Sequence, residues 1–191
     1  FLVLTDEYSK FTSVYFLTHK FETSDNIKQF IKWAERTTSK QLINFHSDQG
    51  TEFTNDDLIR HFKKEGISVE TSTAYTPQSN GAAEVRMKLL KGCARTLMNS
   101  AKTPITLWPY AIRYANFILN RVYCPTTTRI PYSDWHTSGE CPTLRKTKIF
   151  GRTAFVEKLR PKHDSFSERY HKGVFIGLSE DQLKYLIYVP S

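Results

Sequence analysis

Two carboxylates are placed where they could do chemistry. Asp48 follows the apolar run Leu42-Ile-Asn-Phe45 and precedes Gly50, so it falls just past a strand end and before a turn. That is where α/β sheets expose functional side chains. Glu84 comes directly after Tyr75-Thr-Pro-Gln-Ser-Asn-Gly-Ala-Ala83, whose Pro77, Asn80 and Gly81 are loop residues, and it starts a helix. Thirty-five residues lie between the two acids. Carboxylates converging on one sheet edge can hold Mg²⁺, a hard ion that takes oxygen ligands. Two such ions about 4 Å apart clamp the attacking and leaving oxygens of an in-line phosphoryl displacement. Firm binding asks for a third acid. Lys88, Lys91 and Arg95 follow Glu84 at i+4, i+7 and i+11, so three cations share its helix face and can neutralise phosphates. A bland amphipathic helix has the same pattern; Asp48 upstream is what favours the chemical reading.

The elements that must position these acids follow from periodicity and turn residues. Residues 1–5 read as a buried strand, 6–10 as a turn and 11–18 as its hairpin partner. Thr23-Ser-Asp-Asn26 offers N-caps for a helix with Ile27, Phe30, Ile31 and Ala34 on one face. Residues 41–45 form a short strand leading into Asp48. Thr54 or Asn55 caps a helix with Leu58, Ile59 and Phe62 inward, and Gly66 stops it. Residues 67–73 are the next strand. The helix after the loop carries Ala83, Met87, Leu90, Ala94 and Leu97 as its apolar stripe. Thr103-Pro104 opens another, with Trp108, Ala111, Ala115, Ile118, Leu119 and Val122 inward, ending at Pro125. This alternation is an α/β layer design over residues 1–125. Residues 126–191 change character: turns become frequent and β-like runs appear at 149–156, 174–178 and 185–189. Between Glu140 and Gly173 there are nine Lys or Arg against four Asp or Glu, which reads as a small basic β-rich region or a solvated positive surface.

Composition sets the outer bounds. The chain has 191 residues, 39% hydrophobic and 14% aromatic, enough for a core and incompatible with global disorder. Its net charge of +8 favours a polyanionic partner, nucleic acid first. The three cysteines are odd in number and widely spaced, which suggests neither a disulfide scaffold nor a CxxC knuckle and fits a reducing compartment. His163 and His171 read as surface histidines. No apolar run reaches the ~20 residues that span a bilayer, and no signal peptide is visible. A chain that begins at Phe1 with the character of a strand reads as an excerpt of a longer one.

His46-Ser-Asp-Gln-Gly-Thr-Glu-Phe53 and Tyr75-Thr-Pro-Gln-Ser-Asn-Gly-Ala-Ala-Glu84 resemble the second and third signatures of retroviral and retrotransposon integrases, whose catalytic acids are Asp, Asp and Glu. Leu107-Trp-Pro-Tyr-Ala111, Asn120-Arg121, Pro131-Tyr-Ser-Asp-Trp135, Ile149-Phe-Gly151 and Gly173-Val-Phe-Ile-Gly177 are similar to the copia/Ty1-type LTR retrotransposon integrase region. The resemblance covers nearly the whole chain. It implies a ribonuclease-H-like catalytic core over residues 1–125 and the start of the C-terminal part over 126–191. It also implies 3′-processing and strand transfer of element-end DNA into target DNA, dependent on Mg²⁺ or Mn²⁺. Asp48 and Glu84 take the second and third catalytic, metal-binding positions; Tyr75, Asn80, Lys88 and Lys91 match positions that contact element DNA. A homo-oligomer, nuclear action and assembly in cytoplasmic particles are further implications.

The resemblance also has gaps. The family's first catalytic Asp belongs to a strand before the one that residues 1–5 resemble, so the core is expected to be truncated at its N-terminus. Asp6 matches a non-catalytic Asp at the end of the family's second strand. Met87 and Gln49 stand where many relatives carry Asn. With two of three metal ligands, residues 1–191 are expected to be inactive alone. The competing expectation is a decayed or domesticated nucleic-acid-binding module that keeps the fold and its basic surface.

Overall fold

The computed structural model describes residues 1–47, 55–71, 81–136, 142–158, 169–179 and 183–190. The chain divides into two compact units, one of Phe1–Lys88 and Leu119–Pro142, the other of Leu89–Ile118 and Thr143–Ser191.

The first unit opens on a hairpin. Strand β1 (Leu2–Thr5) pairs antiparallel with β2 (Thr12–Tyr15), Thr5 facing Thr12. Their alternation buries Leu2 and Leu4. Asp6 shapes the turn: its Oδ2 accepts from the Ser9 N–H at 2.7 Å and the Ser9 hydroxyl at 2.6 Å. Helix α1 (Glu22–Thr38) starts ahead of the expected caps. Thr23 and Ser24 are buried in its first turn, and the Glu22 carboxylate reaches back to the Thr18 N–H at 3.1 Å. Burial of the first turn against the core therefore overrides the capping preference of these residues.

Strand β3 (Asn44–Ser47) begins later than the apolar run suggests, because the Leu42 N–H is taken by the Glu35 carboxylate at 3.0 Å. Helix α2 (Asp56–Glu65) is capped as expected: Asn55 Oδ1 accepts the Asp57 N–H at 3.0 Å. Gly66 ends it in the left-handed region at φ 71°, where a side chain is strained. Strand β4 (Ser68–Thr71) runs parallel to β3, with Ser47 opposite Thr71. The β1–β2 hairpin and both helices share one core with Ile67, formed by Leu2, Leu4, Ile27, Ile31, Leu58 and Phe62, and Phe45 of β3 packs against it.

Helix α3 (Gly81–Ala101) runs from the first unit into the second. A 3₁₀ turn at Ile105–Leu107 leads into α4 (Trp108–Leu119). Ala111, Ile112, Tyr114 and Ala115 are buried, whereas Trp108, expected inward, is 40% exposed. α4 also stops well before Pro125. Asn120 lies just past the helix, and its side chain bonds Thr12 and Arg86. A short helix, α5 (Pro131–Trp135), starts with Pro at its first position, which suits a residue without an N–H. Trp135 stacks on Phe11 at 4.9 Å between ring centroids.

In the second unit β5 (Thr153–Glu157), β6 (Tyr170–Leu178) and β7 (Tyr185–Tyr188) form an antiparallel sheet in that order. Tyr114 lies edge-on to Phe175 at 5.3 Å. Gly151 has φ 79°, and a Cβ there would stand 2.2 Å from Ala101 Cβ, so only glycine fits that approach.

Candidate functional site

The parallel β3–β4 pair sets the geometry. Its strands end at the same edge, Ser47 beside Thr71. Asp48 is the next residue after the first end, and the segment leading to α3 follows the second. A parallel pair thus brings the C-terminal ends of both strands to one sheet edge. Asp48, Tyr75 and Asn80 lie outside the described residues. One step inside the edge, His46 Nδ1 and Glu70 Oε2 are 3.4 Å apart across the register pair.

Glu84 lies in the first turn of α3, where the helix dipole favours a carboxylate. Its side chain is exposed, as are those of Lys88 and Lys91. Positions i, i+4 and i+7 lie along one helix face, so the described part of the site is a carboxylate followed by two cations. The hard oxygens of Glu84 suit Mg²⁺. Among the described residues, no group of three or more His, Cys, Asp or Glu gathers that could hold a metal ion. Glu84 and Asp48 are the two acids that the sequence nominates for such a site, and only Glu84 lies within the described residues.

Two residues beyond Glu84, Arg86 joins a buried polar hub. Asn120 Oδ1 accepts the Thr12 N–H at 3.0 Å, and its Nδ2 donates to the Thr12 carbonyl at 2.7 Å. The same Oδ1 accepts Arg86 Nη2 at 2.9 Å. Asn120, Thr12 and Arg86 are 3%, 1% and 7% exposed. Next to the hub, the Tyr132 N–H donates to the Asn120 carbonyl at 2.8 Å. Arg121 stacks over the Tyr132 ring at 4.3 Å, and burial pulls its guanidinium below its ordinary pKa. Arg86 is buried although a charged residue is ordinarily expected at the surface. The available signal was spacing: Arg86 stands one turn before Leu90, on the inward stripe.

Residues 1–77 match the integrase core domain family. The chain is 29% identical over 97% of its length to the Retrovirus-related Pol polyprotein from transposon RE1 of Arabidopsis thaliana. It is 27% identical over 100% of its length to that from transposon TNT 1-94 of Nicotiana tabacum. It spans 12% and 14% of those polyproteins. Among solved structures, the catalytic core domain of BIV integrase covers 70% of the chain at TM-score 0.53 and 24% identity, 82% of that core being matched. The simian T-cell lymphotropic virus intasome in complex with PP2A regulatory subunit B56 gamma covers 98% of the chain at TM-score 0.56 and 14% identity, over 68% of the matched chain. The fold and the matches agree: an integrase core domain match over residues 1–77 and the ribonuclease-H-like fold of retroviral integrase cores. More particularly, this domain is homologous to the integrase region of retrotransposon Pol polyproteins.

Proposed function

We propose that the chain is the catalytic region of a retrotransposon integrase, joining element-end DNA to target DNA by metal-dependent 3′-processing and strand transfer in the parent protein. The observation that carries this reading is the shared edge of β3 and β4, with Asp48 directly after Ser47, together with the exposed Glu84 that opens α3. Asp48 and Glu84 would hold Mg²⁺ or Mn²⁺. Bound there, the metal supplies charge neutralisation at the reacting phosphate and lowers the cost of generating an oxygen nucleophile. The HTLV-2 integrase core has been solved in complex with magnesium, in trimeric and dimeric forms. Lys88 and Lys91 would neutralise backbone phosphates beside Glu84, a contribution that weakens as salt rises. Tyr75 and Asn80, in the loop ahead of α3, are assigned to element-end DNA on their motif positions. Working copies would act as a homo-oligomer on DNA.

A divalent-ion titration tests the assignment. Millimolar Mn²⁺ should raise the melting temperature of residues 1–191, because an ion that binds only the folded state stabilises it by mass action. The shift should vanish in Asp48→Asn and in Glu84→Gln. An equal shift in the wild-type chain and both variants would remove the metal site from the proposal. Strand transfer in the parent polyprotein should be lost with either substitution.

A further inference from the structure

The N-terminal third of α3 has little apolar anchorage of its own. Val85 is 64% exposed and Leu89 is 44% exposed, while Glu84 and Lys88 face solvent. Among described α3 side chains before Leu90, Arg86 alone is buried. A helix end held this way should fray unless something fixes it. Arg86 does so by donating to Asn120, whose amide is itself gripped from both sides by the backbone of Thr12 at the start of β2. An amide held by two backbone bonds cannot rotate to follow a moving helix. It is therefore a fixed acceptor, and a charge-assisted bond to it is short and directional. Arg86 is two positions beyond Glu84, about 200° around the helix. Turning Arg86 inward thus turns Glu84 outward.

We propose that Arg86 and Asn120 are positioning residues for Glu84: the buried Arg86–Asn120–Thr12 hub fixes the rotation and first turns of α3, and so fixes where the Glu84 carboxylate is presented. The proposal rests on the reading of Glu84 as a metal ligand. Neither residue touches the metal or the DNA; both act through the helix. Replacing Arg86 with Met keeps side-chain length and helix preference and removes the donor, while leaving the Asn120–Thr12 bonds in place.

Hydrogen exchange followed by mass spectrometry reads the anchoring directly, and Mn²⁺ binding read by electron paramagnetic resonance reports its consequence. In Arg86→Met, amides of residues 85–90 should exchange about 10-fold faster or more, while those of α2 stay within about 2-fold of wild type. Mn²⁺ affinity should fall about 10-fold, the scale seen when groups that support a ligand are lost. Arg86→Lys keeps a cationic donor and should recover part of both effects. Should Arg86→Met not fold, Arg86→Lys decides: selective loosening of residues 85–90 supports the proposal, and uniform loosening with α2 overturns it. Unchanged exchange at residues 85–90 in Arg86→Met also overturns it. A wild-type chain that binds no Mn²⁺ defeats the functional reading instead, and the anchoring claim then stands or falls on the exchange result.

Discussion

Asn120 and Tyr114 solve the same problem in the two units with different chemistry. Each grips a single backbone residue by both its N–H and its C=O. Asn120 takes Thr12 at 3.0 and 2.7 Å. Tyr114 takes Lys148, its hydroxyl donating to the carbonyl at 2.6 Å and accepting the N–H at 3.1 Å. Burial pushes the Tyr114 phenol above its ordinary pKa, so the hydroxyl keeps the proton it donates. The surroundings separate the two. The Asn120 bonds are fully buried and shared with a buried guanidinium. The Tyr114 bonds are half-buried, and the ring does its main work by packing on Phe150 and Phe175. A polar clamp in a dry setting transmits position, whereas an aromatic clamp at a wet margin mainly fills space.

The sharpest way to break this comparison is Asn120→Ala. It removes three buried hydrogen bonds at once, one of them to a charge, and should cost about 3–5 kcal/mol by urea denaturation. A loss under about 1 kcal/mol would show that the hub is ornamental. Gly151→Ala tests whether the second unit is governed by close packing. The new Cβ would meet Ala101 Cβ at 2.2 Å with the backbone at φ 79°, and a loss of about 2–3 kcal/mol is expected. Tyr114→Phe keeps the ring and removes only the hydroxyl, so about 1 kcal/mol should be lost, less than at Asn120 because water can reach Lys148. A cost equal to that of Asn120→Ala would erase the distinction between the clamps.

The smallest effect belongs to the surface. Lys28 of α1 donates to Asp57 of α2, and this bond holds the Asp57 carboxyl below its usual range. A depressed folded pKa gives stability that is present above the unfolded value of about 3.9 and is lost as pH falls through the folded one. Lys28→Met should therefore flatten the acid limb of a pH–stability profile slightly, and added salt should mask the difference.

Much of this molecule is legible locally. Asn55 and Gly66 bound α2 because a cap needs only neighbours within a turn. The Asp48 and Glu84 motifs announce the integrase class because their residue types and spacing lie along the chain itself. The inward turn of Arg86 was legible only in principle. The early halt of α4 and the role of Asn120 were not, since nothing near Asn120 in sequence signals its partners. Trp108 was misjudged for a related reason: helical spacing defines a face, while the depth of burial depends on what covers it.

The sequence by itself determined the candidate acids, the cations on the face of Glu84 and the alternation of elements, all of which are short-range properties. Tertiary structure decided that β3 and β4 are parallel and end at one edge, and that α3 is turned so that Glu84 faces out. The strand pairing joins Asn44 to Ser68 and Ser47 to Thr71, and Arg86 turns inward to Asn120; only the folded chain brings such partners within hydrogen-bonding distance.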